Sequence, residues 1–286
     1  MTRTPFRLLW VALLAGCAGA TAGAGGAGRR PASGYGAPTA GAREAVTYRT
    51  SGTFRYLLVR DDTAAVELPD GTFRTTTAVR RVYLTVGLVP SGDGFLFDAV
   101  ADSVRVDPAG AIPQPMVDSA NGARWTGRMS FAGRLLDLTA TRPSLVGQQI
   151  RSELYHLYAV LPPAGALPVA EWADTTKNPY RVNTFDATEE RVARYRAGNV
   201  ESIAGTRGLR IESQTEITLS GAGNQFGQLM DVTGTGTATT SHLLGLDGTL
   251  LGASGVEAVD MTLTVPALGQ SVPAHTRGRF TLTRLP

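Results

Sequence analysis

Residues 209–219 have the sequence Leu-Arg-Ile-Glu-Ser-Gln-Thr-Glu-Ile-Thr-Leu, the most regular alternation in the chain. The odd-numbered positions are apolar or small, and the even-numbered positions are mostly charged or polar. Because successive side chains of a β-strand point to opposite faces, this period of two predicts a strand with one buried face. That face holds Leu209, Ile211, Ser213, Thr215, Ile217 and Leu219.

Strands with the same alternation lie on both sides of this segment. Ser91-Gly92-Asp93-Gly94 and Asp247-Gly248 are typical of the tight turns that join antiparallel strands. The clearest further strands are Thr53–Val59, Thr77–Val86, Phe95–Val100, Val259–Val265 and Arg279–Leu285. The sequence therefore predicts a mainly β protein, built as an antiparallel curved sheet or a partly open barrel or sandwich.

One segment, at about 143–161, has the periodicity of a helix. Apolar residues recur there at spacings of three or four, which places them on one helical face. They are Val146, Ile150, Leu154, Leu157 and Leu161, whereas Gln149, Ser152 and His156 fall on the opposite side. Pro162-Pro163 is the expected stop, because proline cannot continue a helix. We expect this helix to pack on the concave face of the sheet.

The β domain, residues 45–286, has two candidate halves, 45–161 and 172–286. Residues 87–106 and 245–265 both show a strand, a tight hairpin and a further strand. A duplication would explain this similarity, but any antiparallel meander produces local patterns of the same kind. The sequence leaves both explanations open.

The N-terminus has the layout of an export signal. Arg3 and Arg7 precede an apolar run at residues 8–13 that is too short to span a bilayer. The next residues, Leu14-Ala15-Gly16-Cys17, resemble the lipobox of bacterial lipoproteins and match it at every position. The resemblance implies that residues 1–16 are a signal peptide, cut between Gly16 and Cys17.

The same resemblance implies that the Cys17 thiol carries a diacylglycerol and that the new amine is acylated. Cys17 is the only cysteine of the chain, so it has no partner for an internal disulfide. Residues 18–44 contain eight glycines and nine alanines, a composition typical of a flexible tether. A coil of that length would hold the domain about 30 Å from the lipid.

The charge distribution argues against nucleic-acid binding. The full chain has a formal net charge of +3, but Arg3 and Arg7 leave with the signal, so the mature chain is +1. The tether carries the excess cations, and residues 45–286 are left at −1. Binding to nucleic acid needs clustered positive charge, which the folded part does not supply.

No motif in the chain indicates catalysis, a cofactor or a metal. The three histidines, His156, His242 and His275, are scattered, and none has a second ligand at zinc-like spacing. We interpret them as structural or surface residues. Trp125 and Trp172 are interpreted as packing residues rather than as a platform for a ligand. Ligand-binding residues cannot be assigned from the sequence.

The segment Thr233–Thr240 alternates glycine, alanine and threonine. Small side chains on a strand allow another backbone, a helix or a ligand to approach closely. An exposed strand at the sheet edge would have the same composition. Both interpretations remain open from the sequence alone.

A lipobox, a tether and a curved sheet around a helix together look like the periplasmic lipoprotein-carrier group, in architecture only. The chain is also similar to uncharacterised β-rich envelope lipoproteins with two halves, through Leu161-Pro162 and Trp172. These likenesses imply a lipid-anchored protein of the cell envelope, at the outer membrane and facing the periplasm.

Two functions then compete, and neither is catalytic. The first is a binding module that holds a lipid or other apolar ligand between sheet and helix. The alternative is a structural or protein-interaction lipoprotein that presents its surface to an envelope protein partner. A hydrolase would require a cleft with convergent titratable groups.

Overall fold

The structure is a computed structural model that describes residues 45–286 apart from 69–70, 143, 183, 204 and 226–227. The predicted signal peptide 1–16, the cleavage site at Gly16 and Cys17, and the tether 17–44 lie outside the described residues. The strands are β1 Gly52–Glu67, β2 Phe73–Ser91, β3 Gly94–Asp107, β4 Arg124–Ser130, β5 Leu135–Ala140, β6 Glu171–Val182, β7 Thr184–Ile203, β8 Thr206–Gln225, β9 Gln228–Gly245, β10 Leu250–Val265 and β11 Gln270–Leu285. The helices are α1 Gln114–Asp118 and α2 Leu145–His156, with a 3-10 turn at Pro266–Leu268.

All eleven strands belong to one antiparallel sheet, in the order β5-β4-β3-β2-β1-β11-β10-β9-β8-β7-β6. Two meanders, β1–β5 and β6–β11, are joined where β1 pairs with β11. β5 and β6 are therefore the two edges, and the sheet is not closed into a barrel. The predicted mainly β fold with an antiparallel sheet is confirmed.

The sheet curves until its two edges come near each other. Arg134, beside the start of β5, forms an ion pair with Asp174 of β6, although these strands stand at opposite ends of the strand order. The chain crosses from the β5 edge to the β6 edge through α2. The curvature gives the sheet an inner face, and α2 packs on it.

The alternation predicted for residues 209–219 is present in β8. Its odd-numbered residues from Leu209 to Leu219 are buried, and its even-numbered residues face outward with partial or full exposure. β7 and β9 pair with β8 on either side, so β8 lies inside the sheet. The register of this strand follows from its buried face, because a shift by one residue would turn every side chain over.

Helix α2 is shorter than predicted. It begins after Ser144, whose Oγ accepts a hydrogen bond from Gly147 N at 3.0 Å, and it ends at His156 instead of at residue 161. Tertiary hydrogen bonds hold the residues after Leu157 outside the helix. The Tyr48 hydroxyl donates to Ala159 O at 3.2 Å, and Trp172 Nε1 donates to Val160 O at 2.7 Å.

The sequence also did not predict α1. Its residues, Gln114–Asp118, lie in a proline-rich segment that has the composition of a loop. Proline is tolerated in the first turn of a helix, where its missing N–H is not needed. Pro115 occupies such a position, so the proline does not exclude a helix at this point.

Two apolar clusters fill the inner face. The first contains α2 and the inner residues of the β1–β5 meander, including Trp125, Phe97, Ile150 and Leu154, all fully buried. The second lies mainly on the C-terminal strands, with Val66 of β1, and consists of Val66, Ala187, Ile217, Leu219, Met230, Val232, Ala238, Val259, Met261, Leu263, Val265 and Ala274. Trp125 thus has the packing role that was predicted for it.

The glycine- and threonine-rich segment lies in β9, which pairs with β8 and β10. It is therefore an inner strand, and the interpretation as a sheet edge was wrong. A Cβ added at Gly234 would lie 2.9 Å from Met261 Cβ, and one at Gly236 would lie 2.8 Å from Val259 Cγ2. A larger side chain at either position would collide with β10, so these glycines allow β9 and β10 to lie close together.

Candidate binding site between helix and sheet

The polar side of α2 is buried against the sheet. Gln149, Ser152 and Glu153 are all less than a tenth exposed, although they lie opposite the apolar side of the helix. The helix is thus enclosed on both sides. Charged residues on the inner face of the sheet explain this burial, because they give the polar side of α2 its partners.

We call the resulting group the polar layer. It consists of three arginines and four carboxylates that are linked by ion pairs. Its members are Arg60, Arg80, Arg191, Asp62, Glu153, Glu189 and Glu257. It includes residues of β1, β2, β7, β10 and α2, so it connects both meanders through the helix.

Arg80 joins β2 to the helix. Its Nη1 donates to Gln149 Oε1 at 2.7 Å, and its Nη2 pairs with Glu153. Arg60 of β1 approaches the same Glu153 at 3.5 Å and pairs with Asp62 at 2.8 Å. Glu153 therefore has two cationic neighbours from two strands.

Arg191 makes the corresponding connection from β7. It pairs with Glu189 on its own strand, and its Nη2 donates to Glu257 of β10 at 2.7 Å. Arg60 also reaches Glu257, at 3.6 Å, which links the two parts of the polar layer.

Burial and charge act differently on these carboxyl groups. Burial raises the pKa of Glu189 to about 7, against the opposing effect of Arg191. Burial also raises the pKa of Glu153. At Glu257 burial acts in the same direction, but Arg191 and Arg60 outweigh it and lower the pKa to about 2.

A cavity of about 740 Å³ lies beside the polar layer. Its walls come from the C-terminal end of α2, from both sheet edges and from the inner face of β7–β9. Lys177, whose side chain is mostly exposed, forms part of the wall at β6, so the cavity reaches the surface at that edge. β5 and β6 are not hydrogen-bonded to each other, and the Arg134–Asp174 ion pair spans the gap between them.

The walls of the cavity are rich in hydroxyl groups. Nine of the lining residues have one: Tyr155, Tyr158, Thr175, Thr176, Thr188, Tyr195, Ser213, Thr215 and Thr240. Leu135, Leu136, Val160 and Ala193 supply apolar surface. Burial raises the pKa of Tyr158 well above its ordinary value and that of Tyr195 to about 12, so both phenols stay neutral. The cavity can thus offer hydrogen bonds and apolar contact together.

Tyr195 lines this wall of the cavity, and Trp172 packs against it. Trp172 stacks on Tyr195 with a centroid distance of 5.3 Å and an angle of 8° between the rings. The indole N–H is already used by Val160 O. Trp172 therefore packs behind Tyr195, in agreement with its predicted packing role.

The structure brings His156 and His242 together and leaves His275 apart. His242 Nε2 lies 3.3 Å from His156 O, and burial lowers the pKa of His242 to about 4. Burial also lowers the pKa of His156 well below its ordinary value. Its Nε2 is buried with no hydrogen-bond partner in the described part of the protein, and the residue lines the cavity. His275 lies at the surface, 2.8 Å from Asp260 Oδ1.

Sequence reasoning missed the polar layer, although one signal for it exists. Arg80 has the same parity as the buried residues Val82, Leu84 and Val86 on β2. Alternation thus places a charge on the inner face. Its partners on α2 and the distant strands could not be paired with it without the fold.

Among the described residues, no group of three or more His, Cys, Asp or Glu side chains is arranged to hold a metal ion. None of the helices described is long and apolar enough to cross a membrane. No protein-family model matches this chain, and no curated protein sequence matches it.

Proposed function

We propose that this chain is a membrane-anchored envelope lipoprotein whose β domain is a non-catalytic binding module. The ligand is amphipathic, a lipid or a similar molecule with both apolar and hydrogen-bonding parts. The observation that carries this proposal is the cavity of about 740 Å³ between α2 and β6–β9. Ligand sites in proteins are commonly of this size.

The lining supports an amphipathic ligand more than a purely apolar one. Aliphatic side chains and tyrosine rings suit a hydrocarbon or ring system, while serine and threonine hydroxyl groups can hydrogen-bond to a polar part of the ligand. The orphaned His156 Nε2 needs a polar partner as well. A molecule with one polar end satisfies both parts of the wall.

The two histidines favour binding over catalysis. General acid–base catalysis works best with a pKa near the operating pH. The pKa of His242 is lowered to about 4, which makes the imidazole a poor base at neutral pH. A neutral, buried imidazole is instead suited to accept or donate one fixed hydrogen bond.

Anchoring rests on Leu14-Ala15-Gly16-Cys17. Two or more acyl chains on Cys17 would anchor the domain stably to a membrane. We propose that this is the outer membrane and that the domain faces the periplasm. Replacing Cys17 by serine removes the acylated thiol. The Cys17→Ser protein should lose metabolic lipid labelling and leave the membrane fraction, and unchanged labelling would contradict the anchor.

Native mass spectrometry of the mature protein, purified without added lipid, tests the ligand. We expect an adduct on the wild-type protein. Thr215→Phe places a ring in the cavity from β8 and should remove the adduct. Gln214→Phe puts the same ring on the outer face of the same strand and should retain it. Circular dichroism melts of both variants check that they fold.

The second candidate is a structural or protein-interaction lipoprotein, and the unpaired edges β5 and β6 favour it. An exposed edge can accept a strand from a partner. A wild-type protein without any adduct would contradict the proposed binding module and favour this second candidate. An adduct that both phenylalanine variants retain would place the ligand outside the cavity.

A further inference from the structure

The exposed large apolar side chains are concentrated at one end of the sheet. Nine such residues are exposed in the described part of the chain. Six of them are at the end where β1 begins: Val89, Leu96, Phe131, Leu167, Val169 and Leu246. Phe73 and Leu229 lie at the opposite end, and Val256 lies midway along β10. We call the end that holds the six residues the tether end.

The tether end is where the predicted tether joins the domain. Ala45 is the first described residue, and Val46 forms a bridge with Ala166, with N to O distances of 2.9 Å in both directions. The Ala166 segment continues directly into Leu167 and Val169. The apolar side chains thus surround the point at which residues 17–44 leave the domain.

A groove of about 390 Å³ brings these elements together. Leu246, Pro168, Arg49 and Arg207 are among its lining residues. Leu246 N donates to Arg207 O at 3.0 Å, which fixes the β9–β10 turn against β8. Both arginine side chains are exposed at the groove, so cations stand next to the aliphatic residues.

The backbone of Val169 has an unfavourable conformation, and its aliphatic side chain points outward. Its φ is 59°, in the left-handed region that β-branched residues avoid, and its side chain is 61% exposed. Val169 N donates to Gly198 O at 3.2 Å, which ties this conformation to β7. Backbone strain of this kind clusters at functional sites.

We propose that the tether end docks on the bilayer surface. Leu167, Val169 and Leu246 enter the headgroup region, and Arg49 and Arg207 lie against lipid phosphates. A lipid surface is the partner because the chain that leaves at Ala45 is short. If residues 18–44 form the predicted flexible tether, their average end-to-end distance would be about 30 Å, which would keep this end near the membrane. The inference rests on the proposed lipid anchor at Cys17.

Hydroxyl-radical footprinting tests the docking, because it measures the solvent exposure of individual aliphatic side chains. The mature protein is held on vesicles of phosphatidylethanolamine and phosphatidylglycerol, and the Cys17→Ser protein free in solution is the reference. We expect oxidation of Leu167 and Leu246 to fall several-fold on the vesicle. Oxidation of Leu229 and Phe73, at the far end, should not change.

Two variants sharpen the result. Leu246→Asp should restore oxidation of Leu167 on the vesicle, and Leu229→Asp, at a more exposed leucine of the far end, should leave Leu167 protected. Equal oxidation at both ends, or protection of Leu229 and Phe73 instead, would overturn the proposal.

The intact mass of the purified protein separates the two proposals. If Cys17 carries no acyl chain, the anchor fails, and the free thiol is coupled to a maleimide lipid so that the footprint is still measured. If Cys17 is acylated and Leu167 stays exposed, the docking fails while the anchor stands.

Discussion

The two meanders use the same curved sheet for different purposes. In the β1–β5 meander apolar side chains and α2 fill the inner face, with Trp125 and Phe97 fully buried, and its charged residues pair with the helix through Glu153. In the β6–β11 meander the inner face carries Ser213, Thr215 and His242 around a cavity. The comparison shows that alternation alone does not produce a packed core. A buried face with small and polar side chains leaves space, and that space is the candidate site.

The largest expected difference between the two meanders concerns their tryptophans. Trp125→Ala should lower the free energy of unfolding by roughly 3–5 kcal/mol, because it empties a fully enclosed site. Trp172→Ala should cost clearly less, because Trp172 is only partly buried beside Tyr195. Urea unfolding of both variants measures the difference. Equal losses would show that both meanders pack their inner faces alike.

The next effect tests the connection between the meanders. Glu153→Ala leaves Arg80 without its carboxylate partner in a buried position and should cost roughly 3 kcal/mol. Glu216→Ala on the outer face of β8 removes an exposed pair with Arg194 and should cost less than about 1 kcal/mol. A Glu153→Ala protein as stable as Glu216→Ala would mean that the polar layer does not hold the helix.

The smallest expected effect is a dependence of stability on pH, which arises from Glu189 of β7. The pKa of Glu189 rises from 4.5 to about 7 on folding, so between these values the folded state keeps a proton that the unfolded chain releases. The contribution of Glu189 to stability is therefore complete below pH 4.5 and is lost as the pH rises through 7. Glu189→Gln should remove this loss, and its melting temperature should decline less than that of the wild type between pH 5 and pH 8.

Glu190→Gln provides the matched control for this prediction. Glu190 is the next residue and has a partly exposed carboxylate that pairs with Lys177 at 2.9 Å. The melting temperature of this variant should follow the wild type over the same pH range. Identical pH profiles for all three proteins would show that Glu189 titrates as an ordinary carboxyl group.

Much of the fold could be predicted from local patterns. The strand at 209–219 and the turns at Ser91–Gly94 and Asp247-Gly248 are present, because alternation and turn residues act over a few neighbours. The end of α2 was harder to predict. Its apolar spacing continues to Leu161, but Tyr48 and Trp172 take the carbonyls of Ala159 and Val160 from outside the segment.

The candidate site was less predictable than the fold. His156 and His242 are 86 residues apart, and only the curvature of the sheet brings them together. Arg80 and Glu153 are 73 residues apart. They meet because α2, which carries Glu153, lies against β2 on the inner face of the sheet. The lipidation at Cys17 and a duplication of the two halves stay predictions.

The sequence by itself determined the β class, the positions of most strands and the face that each strand buries, since these depend on period-two alternation and on turn residues. It also placed the single cysteine in a segment that resembles a lipobox. The tertiary structure alone decided which strands stand at the edges, which polar residues share the inner face and where the cavity lies. Those properties depend on contacts between residues far apart in the chain, and they arise only when eleven strands curve around one helix.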